Sequence, residues 1–451
     1  MTKFSMRTWM LMTAAGLGCA ASAHAAGPVS PSILRAESLL NAPSDRLDIQ
    51  LVECTTGDCA TGNACTTGSC GAGGCGTGGC GTGACGTGCE SDWGIGCGLF
   101  GGAGSGDPFD LGTLVFGEDS AWDIGGHLQN GYHSEADGIT NTRPEKFNNH
   151  QSWLYLQKTA DGSEGLDWGM RIDGMYGQDA NNTQAYGNPQ RDRWDFQDDF
   201  DRGAGYGFAI PQAYGTIAYD NLTVKVGHFF TYAGYEVVPS TGNFFYSHAF
   251  TWNFTEPFTH TGAVAEYAVS DDVTLHGGWV AGWDTGFARN NGSSAFHGGV
   301  IAQVSDDVSV SYMTVVGNNG WIGDGHTHHF VVTTALTDNL THVLSSDISR
   351  GNQGIFAAAP ADSTFHSVSA ANYLLYTIND TLSTGARGEW LKVQGVSYYE
   401  TTVGLNVRPT SNLVVRPEIR HQWSPAGEKG NNPLGVPVSE TIFGIDAVMS
   451  F

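Results

Sequence analysis

The last eleven residues of the chain alternate in polarity, and this pattern constrains the fold more than any other feature. One face carries Gly444, Asp446 and Ser450, and the other is apolar up to the final residue, Phe451. A strand of about 9–11 residues with one polar and one apolar face spans a membrane only inside a closed barrel. Because the assembly machinery of the bacterial outer membrane reads a C-terminal aromatic strand, we expect an outer-membrane β-barrel that interacts with this machinery and with membrane lipid. The apolar face consists of Phe443, Ile445, Ala447, Met449 and Phe451.

The first residues have the pattern of a secretory signal peptide. Lys3 and Arg7 precede an apolar run that ends in small-residue cleavage sites near residue 25, so we expect residues 1–25 to be removed on export. A lipid anchor on Cys19 is the alternative, but a Gly stands where lipoprotein signals usually have Leu. Since no later run of about 18 apolar residues follows, hydropathy predicts no transmembrane helix.

Composition and charge agree with a large barrel. The chain has 64 Gly, 11% aromatic and only 14% charged residues, as in barrels where Gly relieves crowding and aromatic residues lie at the membrane interfaces. The 45 acidic residues outnumber the 20 basic ones, for a net charge of −25. Nucleic acid and anionic membrane surfaces are therefore poor partners, because both favour clustered cations. The acidity indicates solvated surface loops, with attraction of cations as the alternative.

Four segments follow the expected signal peptide. Residues 26–53 form a short amphipathic segment that is too brief to be a stable helix alone. Residues 54–97 are a low-complexity segment rich in Cys and Gly, and residues 98–121 are a Gly-rich linker. The alternating pattern of a barrel then covers residues 122–451. We expect the N-terminal extension to lie in the periplasm.

The cysteines are concentrated in that extension. Of ten cysteines, all except Cys19 lie in residues 54–97, with a spacing near five. Paired zinc-site spacings and haem-attachment motifs are absent from this segment. Disulfides are the default in an oxidising compartment, and an odd number leaves at least one thiol over. A disulfide-linked spacer is our first interpretation, cross-linking to other envelope components the second, and capture of a soft metal the third.

Short turns built from Asp, Asn, Gly or Pro recur along the barrel region. Asp and Asn tolerate left-handed backbone and bond their own main chain, so they favour tight hairpins. Seven such turns alternate with eight longer connections, which predicts about 16 antiparallel strands. A soluble β-sandwich is the structural alternative, although its connections alternate less regularly. The turns lie at 161–162, 220–221, 271–272, 306–307, 338–339, 379–380 and 409–412, and the longer loops lie near 134–150, 178–208, 233–258, 284–294, 318–326, 350–363, 395–397 and 425–439.

Charged side chains indicate which face of each strand points to the lumen, because charge is costly on the lipid face. Arg416, Glu418 and Arg420, for example, share one parity, opposite Ile419. A barrel of about 16 strands is too wide for side chains to fill, so its lumen should hold water. The residues predicted to line the pore are Arg171, Asp173, Lys225, Glu266, Arg387, Glu389, Glu400, Arg408, Arg416, Glu418, Arg420 and Asp446.

This set contains both signs of charge, which suits a general diffusion pore that orients water and rejects apolar solutes. Salt bridges that stiffen the wall are the alternative interpretation. We expect the wall near Arg387, Arg408, Arg416 and Arg420 to be locally cationic, although the whole protein is acidic.

Seven motifs between Trp122 and Phe287 resemble the β-barrel porin-2 family of outer-membrane porins. The resemblance implies a passive channel for ions and small hydrophilic solutes, with no enzymatic activity and no cofactor, and it allows a homo-oligomer. The Cys-rich segment matches no family pattern. The motifs are Phe147-Asn-Asn-His150, Leu166-Asp-Trp-Gly169, Gln184-Ala-Tyr-Gly-Asn188, Ile210-Pro-Gln-Ala-Tyr214, Val224-Lys-Val-Gly-His-Phe229, Asn243-Phe-Phe-Tyr-Ser-His248 and Glu256-Pro-Phe-Thr-His-Thr-Gly262.

The third long loop, residues 233–258, corresponds in position to the loop that narrows the channel in general porins. It is rich in aromatic residues, which would be hard to leave in water, but it lacks the acidic motif of classical constriction loops. Packing against the barrel wall or a neighbouring protomer is our first interpretation, and a constriction that contacts solute is the second. The candidate constriction residues are Glu236, Phe244, Phe245, Tyr246, Trp252 and Glu256.

Other functions have weaker support. A structural or adhesive barrel, cross-linked through its Cys-rich extension, is the main alternative to a pore. The histidines fit no recognised Ser/His/Asp arrangement, so we predict no catalytic residue. The run Gly325–His329 could bind a metal, but its side chains would alternate faces, and we interpret it as a solvated loop; we predict no metal site. The aspartates at 192, 195, 198, 199 and 201 lack the spacing of a calcium loop.

Overall fold

The computed structural model describes residues 109–137, 140–187, 194–195, 205–288, 292–320, 322–353 and 364–451. The expected signal peptide, the amphipathic segment and the Cys-rich segment lie outside these ranges, as do four of the five aspartates near position 195. In the described ranges, no helix has the length and apolar character needed to cross a membrane.

The described chain forms one closed antiparallel β-barrel of seventeen strand segments. The segments are β1 (Trp122–His133), β2 (Phe147–Lys158), β3 (Asp167–Gly177), β4 (Gly207–Ala209), β5 (Ala213–Tyr219), β6 (Leu222–Phe230), β7 (Thr259–Ser270), β8 (Val273–Val280), β9 (Ser294–Ser305), β10 (Val308–Asn318), β11 (Asp324–Thr337), β12 (Leu340–Gly351), β13 (Phe365–Asn379), β14 (Leu382–Val393), β15 (Val396–Thr410), β16 (Leu413–Trp423) and β17 (Ser439–Ser450).

These segments occupy sixteen positions around the barrel. Both β4 and β5 pair with β3, as in the pairs Tyr176–Phe208 and Arg171–Tyr214, so together they form one interrupted strand. The last strand, β17, pairs with β1 and closes the sheet. The prediction of an all-β antiparallel barrel with about 16 strands is therefore confirmed.

The connections follow the predicted alternation with one difference. Short turns such as Asp220-Asn221 join strands at one edge, and Asp220 adopts a φ of 50°. The loop expected at 395–397 is instead a two-residue turn, in which Gln394 and Gly395 have φ values of 51° and 82°. Two successive positive φ angles match the twist of a two-residue hairpin turn. The strands β14 and β15 therefore stay paired up to this turn.

In the described residues, three short α-helices accompany the barrel, α1 (Leu111–Phe116), α2 (Ala180–Thr183) and α3 (Phe250–Thr255), together with a 3-10 helix at Ser240–Gly242. The Asp110 carboxylate caps α1 by accepting the Thr113 N–H at 2.8 Å. Just before it, the Asn412 side chain exchanges two hydrogen bonds with the backbone of Phe109. The chain therefore enters the barrel at the edge where the short turns lie.

Burial alternates along the strands. On β16, Arg416, Glu418 and Arg420 are buried inside the barrel, whereas Ile419 is 55% exposed on the outside. Trp168 and Phe443 are also exposed on the outer face. An apolar outer face with a polar interior is what a membrane-spanning barrel requires.

Candidate functional site

Residues 231–258 connect β6 to β7 and fold into the barrel; we call them the inward loop. The six candidate constriction residues of this loop are all at most 9% exposed. Its side chains and backbone contact the inner faces of β2 on one side and of β12 to β17 on the other. The inward loop therefore crosses the lumen, as the interpretation of packing against the wall predicts.

The wall is shaped to receive the aromatic side chains of the inward loop. A Cβ atom at Gly385 of β14 would lie 2.6 Å from the Phe244 ring, and one at Gly404 of β15 would lie 3.2 Å from the Phe245 ring. Since real Cβ contacts are longer, glycine at Gly385 lets the ring sit directly on the strand backbone. No pattern in the sequence predicted this contact between Phe244 and the strand backbone.

Two wall carboxylates bind backbone N–H groups of the inward loop. Glu389 accepts hydrogen bonds from the Phe250 N–H at 2.6 Å and from both the N–H and the hydroxyl of Thr251. Glu418 accepts from the Tyr246 N–H at 2.9 Å and the Ser247 N–H at 3.1 Å. These side chains therefore satisfy four backbone N–H groups of the loop and hold its backbone against the wall.

Three wall arginines bind backbone carbonyl groups of the same loop. Arg416 donates to the carbonyl oxygens of Ser240 at 2.9 Å and Asn243 at 2.6 Å. Arg387 donates to the Ser247 carbonyl at 2.7 Å. Arg420 donates to the carbonyl of the next residue, His248, at 2.6 Å. The wall thus supplies donors for the loop carbonyls as well as acceptors for its amides.

Two of these arginines are also neutralised by carboxylates. Arg387 forms ion pairs with Glu236 of the loop at 2.7 Å and with Glu400 of β15 at 2.5 Å. Arg416 pairs with Asp446 of β17 at 2.6 Å. The expected local excess of positive charge on this wall is therefore smaller than predicted, because the acidic partners lie on neighbouring strands and on the loop.

Glu236 is the most heavily bonded acid of the inward loop. Besides Arg387, it accepts hydrogen bonds from the Tyr373 hydroxyl at 2.9 Å and the Ala249 N–H at 3.0 Å, and its second oxygen lies 2.8 Å from His248 Nδ1. Burial opposes ionisation of this carboxyl, but the charge of Arg387 and the contacts with His248 and Ala249 outweigh it and lower its pKa to about 2. Glu236 is therefore ionised at any ordinary pH.

The opposite wall holds the loop through Gln151 and His150 of β2, which were not among the predicted pore-lining residues. The Gln151 side chain of β2 donates to the Val238 carbonyl at 2.8 Å and accepts the Ser240 N–H at 3.0 Å. His150 Nε2 lies 2.6 Å from the Tyr246 hydroxyl oxygen. Apart from the motif that contains His150, only the inward parity of these two positions could have marked them.

Four of the five remaining predicted charges form two ion pairs. Arg171 and Asp173 lie 2.7 Å apart on β3. Lys225 lies 3.7 Å from Glu266, with its ammonium also 4.9 Å from the Tyr232 ring centroid. Whether these pairs also contact a permeating solute stays a prediction.

A cavity of about 360 Å³ lies between the inward loop and the edge with the short turns. Three of the predicted pore-lining arginines border it, namely Arg171, Arg408 and Arg416, together with Ser240 of the loop. Arg408 is half-buried, and within the described ranges it forms no ion pair. Contact of these residues with a permeating solute stays a prediction.

The run of histidines at 326–329 differs from its expected conformation. It lies within β11 and not in a solvated loop, with His329 buried on the inner face and His328 stacked on Tyr312. The strand continues because the Gly325-containing segment pairs with β10 and β12 on both sides.

Residues 122–451 match the family described as "putative beta-barrel porin-2, OmpL-like". The chain belongs to this porin family. The protein is therefore an outer-membrane porin, a channel for passive diffusion, and its family is one of channels and not of enzymes. No curated protein shows significant similarity to the chain.

Solved structures of outer-membrane proteins are similar to the barrel of this chain. The outer-membrane channel DcaP of Acinetobacter baumannii is 11% identical, with a TM-score of 0.50, over 73% of this chain and 97% of its own. OmpT of Vibrio cholerae, solved in its trimer form, is 11% identical with a TM-score of 0.48 over 73% and 99% of the two chains. The anion-selective porin from Comamonas acidovorans is 10% identical with a TM-score of 0.47 over the same shares. At such low identity, the likeness to DcaP shows the fold alone.

Replacing Gly385 with Val tests the contact between Phe244 of the inward loop and the backbone of β14 in this porin. The added side chain would displace the Phe244 ring, so we expect single-channel conductance in planar bilayers to change. Gly388→Val on the same strand is the matched control, because the nearest atom to its Cβ position is 4.0 Å away. Equal conductance of both variants and the native protein would show that Phe244 does not rest on the strand.

The low pKa of Glu236 predicts a pH-dependent effect of Glu236→Gln. A carboxyl with a lowered pKa stabilises the fold above its unfolded pKa of about 4.5 and loses that contribution as pH falls toward the folded value of about 2. The difference in urea unfolding midpoint between native protein and variant, measured in detergent, should thus be constant from about pH 8 to 5 and shrink below. A difference that is unchanged down to pH 2 would contradict the assignment.

Proposed function

We propose that this porin is a narrow passive channel in which the inward loop sets the cross-section open to ions and small hydrophilic solutes. The observation that carries the proposal is the fixation of the loop from both sides of the lumen, by Gln151 on β2 and by Glu389 and Glu418 on β14 and β16. A loop held on opposite walls cannot leave the lumen without losing charged hydrogen bonds. Only small solutes then have room to pass.

Arg408 is the residue most suited to act on the passing ions. It borders the cavity below the inward loop, whereas Arg416 beside it is neutralised by Asp446. Charges near a narrow path count more than charges separated from it by more than about 8–10 Å of salt solution. The proposal therefore assigns the main influence of the wall on ion selectivity to Arg408.

A structural or adhesive barrel is the second candidate, and the dense packing of the loop against the wall favours it. In that function the expected disulfides of the Cys-rich extension would cross-link the barrel to other envelope components. The contact between Phe109 and Asn412 is consistent with an extension that leaves toward the periplasm. Assembly into a homo-oligomer and recognition by the barrel-assembly machinery also stay predictions.

Planar bilayers distinguish the two candidates. The channel proposal expects stepwise conductance from the purified protein without energy input. A barrel that shows no conductance at any voltage would support the structural function instead.

Arg408→Glu tests the selectivity assignment. We expect the reversal potential in a salt gradient to shift toward cation selectivity, because the substitution replaces a cation that has no ion-pair partner among the described residues with an anion beside the cavity. Lys392→Glu is the matched control: it changes the net charge equally, but the side chain is exposed on the outer face of β14. Equal shifts for both variants would mean that charges outside the cavity set the selectivity.

A further inference from the structure

We propose that Glu256, His329 and Asp347 form a binding site for one divalent transition-metal ion such as Zn²⁺. Glu256 follows α3 at the end of the inward loop, while His329 of β11 and Asp347 of β12 lie directly opposite each other in the sheet. All three are at most 1% exposed. One possible ligand atom from each residue lies within 4.8 Å of the other two.

Two buried atoms at this site face each other without a hydrogen bond. His329 Nδ1 and Asp347 Oδ1 lie 3.1 Å apart, within ion-pair distance, yet they form no hydrogen bond with each other or with any other residue that the structure describes. Leaving buried polar atoms unsatisfied costs free energy, so each such pair requires an explanation. A metal bonded to both atoms at about 2.0–2.2 Å would hold them at close to the observed separation.

The hydroxyl groups of two threonines contact His329 and Asp347 in the way that outer-shell groups contact the ligands of a metal ion. His329 Nε2 lies 2.9 Å from the Thr327 hydroxyl, and the Thr255 hydroxyl donates to Asp347 Oδ2 at 2.7 Å. When Nε2 carries the proton toward Thr327, Nδ1 presents its lone pair to the carboxylate. In metal sites, the atom of a histidine or carboxylate that does not bind the metal is characteristically hydrogen-bonded to a neighbouring group.

The ligands select the class of ion. One imidazole nitrogen and two carboxylates suit Zn²⁺, Mn²⁺ or Fe²⁺ better than Cu(I), which prefers thiolates and thioethers. The alternative without metal is an ion pair between protonated His329 and Asp347.

A bound ion would join the inward loop to a part of the wall that the arginines do not reach. Glu256 belongs to the loop, and the other two ligands belong to β11 and β12. Binding would therefore stabilise the inward position of the loop by mass action. The metal site itself does not depend on the channel proposal, because it requires only the folded barrel.

The test is a Co²⁺ titration of the full chain in detergent, with its cysteines first alkylated so that thiolates do not bind the metal. Bound Co²⁺ is measured by equilibrium dialysis, and its visible absorption reports the nitrogen and oxygen ligands. We expect the native protein to bind one equivalent more than His329→Gln or Asp347→Asn. Thr327→Val should keep this equivalent but weaken its affinity by about tenfold.

His260→Gln is the matched control. This histidine is also buried in the barrel, but its Nδ1 lies 2.8 Å from the Gly282 carbonyl and its Nε2 lies 3.0 Å from the Thr231 hydroxyl, so neither nitrogen is available to a metal. The variant should bind as much Co²⁺ as the native protein. Equal binding by the native protein and the two ligand variants, or equal loss in His260→Gln, would overturn the proposal. Heat-modifiable migration on gels verifies that each variant is folded.

Discussion

A peptide segment inside a closed barrel must find hydrogen-bond partners for its backbone, and this requirement organises the interior of the porin. Buried N–H and C=O groups without partners are costly. Glu389 and Glu418 accept from the N–H groups of the inward loop, and Arg387 and Arg416 donate to its carbonyl oxygens. The charged wall and the loop are therefore one structural unit.

The same contacts explain why so many charges can be buried. An isolated buried charge is strongly destabilising, whereas a paired charge with further hydrogen bonds is tolerated. Arg387 meets both conditions: it lies between Glu236 and Glu400 and also donates to Ser247. Little net charge is therefore left to face the lumen on this wall. For this reason, the half-buried Arg408 beside the cavity has the larger influence on ion selectivity in our proposal.

The fold could be predicted from local sequence signals, and the site only in part. Turn residues such as Asp220 mark strand ends within a few positions, so the strand number follows from counting them. The inward face of β16 follows from its alternating charges. The partners of the inward loop could not be predicted, because the contacts of Glu236 with Arg387 and of Tyr246 with Glu418 join residues more than a hundred positions apart. His329 and Asp347, in contrast, lie on adjacent strands of one hairpin, so the predicted turn at 338–339 is consistent with their facing each other.

Hydrogen exchange of the loop amides tests the central claim most directly. In the folded porin in detergent, the N–H groups of Tyr246, Ser247 and Phe250 should exchange as slowly as those in the middle of β14, because wall carboxylates accept their hydrogen bonds. Exchange as fast as that of the exposed residues 428–430 would contradict the account, since the loop would then not be held inside the barrel.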